Sequence, residues 1–205
     1  APLPGTADEL RALSAAVKGD PKRIYLRKSA TERMVKSLDL SDSRIIAFAT
    51  HGLVAGDLKF AEPALVLTPP DKGTALNDGL LTAGEVAQLK LNADLVILSA
   101  CNTAAADGTP GAEGLSGLAK AFFYAGARAL LVSHWSVNSE AAVAITTGML
   151  GEMADNPEIG RAEALRRSML AMMETEGKDH FAHPMFWAPF VVVGEGGAPL
   201  NTREE

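Results

Sequence analysis

Two rhythms of apolar residues run along this chain. RIIAFAT (44–50), LVILSA (95–100), ALLVSH (129–134) and FVVV (190–193) are continuous apolar runs of strand length, the pattern of strands covered on both faces. Between them the spacing turns helical. In TADELRALSAAVK (6–18), Leu10, Leu13 and Val17 recur behind Thr6, and Glu9 three positions on reads as the partner in a capping box. SATERMVKSL (29–38) predicts a second helix, entered through Thr31 or Ser29, after a short strand RIYL (23–26). Thr82 and Glu85 form another capping box opening the helix TAGEVAQLK (82–90). LSGLAKAFFYAG (115–126) predicts a helix stopped by Gly126, and SEAAVAITTGML (139–150) and RAEALRRSMLAMME (161–174) predict two more. Residues 64–81 differ, because ALVL and LL flank a connection rich in Pro, Gly and Asp. They predict an antiparallel hairpin.

Buried strands alternating with helices imply a mostly parallel sheet covered on both sides, an α/β/α sandwich of three layers with a hairpin insertion. With 205 residues, 47% of them apolar, the chain has enough material for one sizeable core, so residues 1–205 are expected to form a single domain. A net charge of -6 without a Lys/Arg cluster gives no electrostatic footprint for nucleic acid or an anionic membrane. No apolar run has spanning length, and APLPGTADELRAL lacks the basic and apolar regions of a signal peptide. The chain begins with Ala1, so it is expected to derive from a longer precursor and to lack upstream elements. One cysteine excludes an internal disulfide and a cysteine zinc site. A reducing, cytoplasmic setting without metal or cofactor is the expectation.

That cysteine, Cys101, follows the strand LVILSA, and His51 follows RIIAFAT in the same way. In open α/β sheets reactive groups gather beyond the carboxyl ends of the strands. A thiol attacks as thiolate, and a nearby imidazole can take its proton, so His51 and Cys101 have the residue types and positions of a nucleophilic dyad. Gly52 lets the backbone approach a substrate carbonyl. The bland alternative is a small buried thiol and a histidine capping a strand. GAEGLSG (111–117) has neither the lysine of a phosphate-binding loop nor the dinucleotide spacing. His134, His180 and His183 lack a carboxylate set at metal-ligand spacing.

FATHG (48–52), DGLLTAGEV (78–86), LSACNT (98–103), GLAKAFFYAGA (117–127), SHWSV (133–137) and HPMFWAPFVVVG (183–194) together resemble the CHAT domain across nearly the whole chain. That family is caspase-like, is related to separase and metacaspases, and often stands behind tetratricopeptide repeats in bacteria. The resemblance implies a cysteine endopeptidase acting on a protein or peptide, regulated by an upstream repeat region or a partner protein. Cys101 would attack the scissile carbonyl, His51 would protonate the leaving amine, and the N–H groups of Gly52 and Cys101 would hold the oxyanion. Ser133 and Trp135 match a region that lines the pocket for the residue before the cut, although Trp135 could equally cover a sheet edge. Asn102 and Ser136 stand where relatives commonly carry acids, and Asp57, Asp107 and Glu113 are the candidates for supplying charge instead. The rival reading is a catalytically idle caspase-like module for protein interaction.

Overall fold

The computed structural model describes residues 5–53, 62–74, 76–99, 117–135 and 137–197. In chain order the strands are β1 (Ile45–Ala49), β2 (His51–Leu53), β3 (Ala64–Val66), β4 (Leu80–Thr82), β5 (Leu95–Ser99), β6 (Ala129–Ser133) and β7 (Phe190–Gly194). The helices are α1 (Thr6–Ala16), α2 (Glu32–Ser37), α3 (Ala83–Val86), α4 (Gly117–Tyr124), α5 (Ser139–Asp155), α6 (Arg161–Met173) and α7 (Pro184–Trp187).

The main sheet has the order β1-β5-β6-β7, with β1, β5 and β6 parallel and β7 antiparallel to β6. Alternation along its central strands sends Val96, Leu98, Leu130 and Val132 to one face, where Leu118, Phe122 and Val86 cover them. Leu95, Ile97, Ala129 and Leu131 point the other way, onto α1, α5 and α6 through Leu13, Ile145, Met149 and Leu165. Both faces are therefore dry, as the unbroken apolar runs predict, and the result is the expected three-layer sandwich. Phe48 of β1 meets Phe122 of α4 at 5.6 Å between ring centroids.

A second, antiparallel sheet of order β2-β3-β4 realises the predicted hairpin and adds a third strand. Its Leu65 and Leu81 are fully buried in the same core as Phe122. The Thr82–Glu85 capping box forms reciprocally, with the Thr82 hydroxyl accepting from Glu85 N and the Glu85 carboxylate accepting from Thr82 N. Its helix lasts one turn and not to residue 90, because the chain then bends so that Leu91 N bonds Ala125 O at 2.8 Å.

Two other local expectations are corrected. Residues 23–26 are no strand: Asp20 caps a 3-10 turn at Pro21–Arg23, and Ser29 closes another on Leu26 at Arg27–Ser29. These side-chain bonds satisfy the backbone locally and keep it out of a ladder. The second helix starts at Glu32 and is entered through Thr31, one of the two expected caps, whose hydroxyl accepts from Met34 N. The first helix is capped by Gly5, at φ 88°, and not by a Thr6–Glu9 box. Glu9 turns inward instead and is only 4% exposed.

Gly126 ends α4 as its sequence predicts, at φ 107°. A Cβ there would lie 2.4 Å from Leu91 O. Gly126→Ala is therefore expected to cost about 2–4 kcal/mol and lower the thermal midpoint by roughly 5–15 °C. An unchanged midpoint in a calorimetric scan would contradict this account of the turn.

Candidate active site

The carboxyl ends of β1, β5 and β6 form one end of the main sheet. β1 and β5 pair in register from Ile45 opposite Leu95 to Ala49 opposite Ser99. β5 and β6 pair Val96 with Leu130 and Ile97 with Leu131, a register that carried on two places sets Ser99 beside Ser133. Ser133 in turn faces Phe190 of β7. On the face covered by α1, the last row of the sheet thus reads Ala49, Ser99, Ser133, Phe190, three small residues and one ring.

His51 lies two residues beyond this row. It does not continue β1. Thr50 donates its hydroxyl to Val66 O, and the chain crosses into the second sheet, where His51 pairs with Val66 and Gly52 with Leu65. The anchor is firm because Leu65 and Leu81 are fully buried beneath it. His51 is half-buried, and its backbone is fixed by this pairing.

Ser133 is 3% exposed and Trp135, two residues on, is 43% exposed. Trp135 stands at the same end of the sheet as His51. Cys101 follows Ser99 by two positions but lies outside the described residues, as do Asp57, Asp107, Glu113, Asn102 and Ser136. The remaining histidines have structural occupations. His134 N bonds Pro189 O, the His183 imidazole accepts from Met185 N to cap α7, and His180 packs on Phe181 and Phe186.

One residue of this region escapes a sequence reading. Glu9, on the inner face of α1 with Leu13, carries its carboxyl into the layer between α1 and the sheet. Its Oε1 is buried without a hydrogen-bond partner. Burial pushes its pKa above the ordinary carboxylate value, offset in part by a hydrogen bond with the Ser99 hydroxyl. The four-residue spacing from Leu13 is the signal that could have found it, since i and i+4 share a helix face.

The family model described as the CHAT domain matches residues 1–195. Tetratricopeptide repeat protein 28 of Mus musculus is 26% identical over 94% of this chain, which covers 9% of that protein. Its Homo sapiens counterpart is likewise 26% identical over 94% of the chain, covering 8% of its own length. The chain thus spans less than a tenth of these curated relatives.

Because the Glu9 carboxyl holds its proton more tightly in the folded chain than in the unfolded one, it opposes folding only once both states can ionise. The penalty is absent below the unfolded carboxylate range, grows as pH rises through it, and is complete above the folded value. Glu9→Gln is therefore expected to raise the thermal midpoint at about pH 8, with the gain vanishing toward about pH 4. A gain of equal size at both pH values would show that ionisation is not its source.

Proposed function

Starting from a chain that belongs to the CHAT domain family and has its caspase-like α/β/α architecture, we propose a cysteine endopeptidase that works through His51 and Cys101. The observation that carries this reading is the register of β1 on β5. Ala49 stands opposite Ser99, and His51 and Cys101 each follow by two residues, so two strand ends of matched height lead to an imidazole and to the one thiol of the chain.

The chemistry balances without a cofactor. The Cys101 thiol gives its proton to His51, and Sγ bonds to the scissile carbonyl carbon. The oxyanion formed takes hydrogen bonds from the backbone N–H groups of Gly52 and Cys101. On collapse, the C–N bond breaks and His51 passes the proton to the leaving amine. His51 then takes a proton from water as the hydroxide oxygen adds to the thioester carbon. The second collapse breaks the C–S bond, releases the acid and returns the proton to sulfur. Ser133, Trp135 and Asp57 are the substrate-side residues of this reading, with the Trp135 ring exposed enough to meet a peptide.

Residues 1–205 act here as one catalytic domain whose substrate is a protein or peptide. The relatives' names support a tetratricopeptide repeat region as regulatory neighbour. No helix among the described residues is long and apolar enough to cross a membrane, and a free nucleophilic thiol suits the reducing cytoplasm. The same names favour the rival, a caspase-like interaction module, because they denote repeat proteins and state no activity.

Incubating the chain with a mixed peptide library and sequencing the products by mass spectrometry separates the two. Cleavage is expected from wild type, with at least a roughly thousandfold loss in Cys101→Ala and in His51→Ala. Cuts that persist in Cys101→Ala, or no cuts by wild type in the presence of its native upstream region, would leave the interaction module as the function.

A further inference from the structure

Charge is distributed unevenly along this chain. Residues 18–36, KGDPKRIYLRKSATERMVK, hold seven Lys/Arg against two acids, a net of +5 inside a chain of net -6, although no more than two cations stand side by side. All seven are exposed. Lys36 is bound to Glu32 and Glu85. Lys18, Lys22, Arg23, Arg27, Lys28 and Arg33 enter no ion pair among the described residues, though Arg23 has Asp39 within longer electrostatic reach. Hydrogen bonds bring the segment against the turn between β3 and β4: Thr68 donates its N–H to Ala30 O and its hydroxyl to Arg27 O, and Lys36 holds Leu76 O. Between α2 and that turn lies an open cavity of about 430 Å³ lined by Arg33, Lys36, Ser37, Thr74, Leu76 and Asn77. Its chemistry is that of donors. Arg33 and Thr74 are exposed, and the Asn77 Oδ1 is buried, so the amide N–H2 is the end that a ligand can meet. Beside them the Leu76 side chain is 78% exposed. Arg27 stands at φ 50°, left-handed backbone that a glycine would hold at lower cost, so the turn itself gives no reason for an arginine there.

We infer that this face, formed by Arg27, Lys28, α2 and the tip of the hairpin, docks an acidic segment of a partner protein that carries an apolar residue among its carboxylates. The Arg33 guanidinium takes one carboxylate through two parallel N–H donors, with Asn77 and Thr74 donating beside it. Arg27 and Lys28 meet flanking acids, and the apolar residue covers Leu76. The hairpin's own Lys72, Asp71 and Asp78 add one net negative charge and leave the face positive. The rest of the chain, at net -11, restricts the contact to a short anion. An exposed leucine suits a peptide and not a nucleic acid, whose bases need exposed aromatic rings to stack on, and the one ring of the segment, Tyr25, is half-buried. The inference is independent of the peptidase reading and uses neither His51 nor Cys101.

Fluorescence anisotropy of a labelled hexapeptide, Glu-Asp-Leu-Glu-Asp-Glu, titrated with the full chain as wild type and as Cys101→Ala, tests this docking. Both proteins are expected to bind it with a Kd on the order of 50 μM at low ionic strength, and a counterpart with Gln and Asn in place of the acids roughly tenfold more weakly. Arg33→Glu should weaken the acidic peptide roughly tenfold. Arg27→Gly should weaken it roughly threefold without lowering the thermal midpoint, because glycine accepts the left-handed turn. Leu76→Ser should weaken the same peptide and leave unchanged a version with Ser in place of its Leu. Arg166→Glu, the same change of charge on α6, should leave the affinity as it is. Equal binding of the acidic and amide peptides, or a loss in Arg166→Glu as large as that in Arg33→Glu, overturns the inference. A decathymidylate, or vesicles of phosphatidylserine and phosphatidylcholine, held more tightly than the peptide and released by Arg33→Glu would give the face to a nucleic acid or a membrane and overturn it. So would a concentration-dependent dimer in sedimentation that Arg33→Glu dissolves, since the occupant would then be a second copy of the chain.

Discussion

The parallel pairing of β1 with β5 is the constraint on which the rest of this molecule depends. A slip of one residue would turn Val96 and Leu98 toward α1 and α5, and Leu95 and Ile97 toward α4, exchanging two cores that are packed for their own faces. The amino ends of the strands pin the register. Arg44 O accepts from both Asp94 N and Leu95 N, while Arg44 Nε donates to the buried Asp94 carboxylate at 2.7 Å. Arg128 N bonds Ala93 O at the same edge and holds β6 to β5. Ionic contacts gather at one end of the sheet, so the small, polar last row is free to appear at the other.

From that row upward, the second sheet governs the position of His51. Its hairpin is tied down by Glu32, whose carboxylate accepts from Asp78 N and Gly79 N and pairs with Lys36. Lys36 also reaches Glu85 at 2.6 Å and Leu76 O at 3.1 Å. Three elements separated in sequence, α2, the hairpin turn and the cap of α3, thus share one partly buried cation. A buried carboxylate is tolerated here because its lone pairs are filled, in contrast with Glu9. The contrast between the two glutamates separates a structural carboxylate from one with unmet capacity.

What could be read from the chain follows the range of the forces involved. The central strands, the hairpin, the Thr82–Glu85 box and the Gly126 stop are encoded within a few residues and appear where the pattern puts them. RIYL failed because Asp20, Pro21 and Ser29 satisfy the backbone by short-range bonds that its β-branched and aromatic content does not reveal. Glu9 was misread because a capping box and an inward-facing carboxylate share the same local spacing, and only the distant Ser99 decides between them. In the Lys36 network only the Glu32 partner lies at local helical spacing, and the reach to Glu85 spans 49 positions. Of the candidate site, His51, Gly52, Ser133 and Trp135 come to one end of the sheet, an arrangement that requires the parallel register and so exceeds any single motif.

The central claim is that His51 and Cys101 act as a pair, and the rate of Cys101 alkylation by iodoacetamide as a function of pH measures that pairing most directly. The account predicts that the wild-type rate inflects at least one unit below the ordinary thiol value of about 8.5, and that His51→Ala moves the inflection back toward it and slows labelling at neutral pH. Superimposable profiles for wild type and His51→Ala would contradict it, since a thiol indifferent to the imidazole is no member of a dyad.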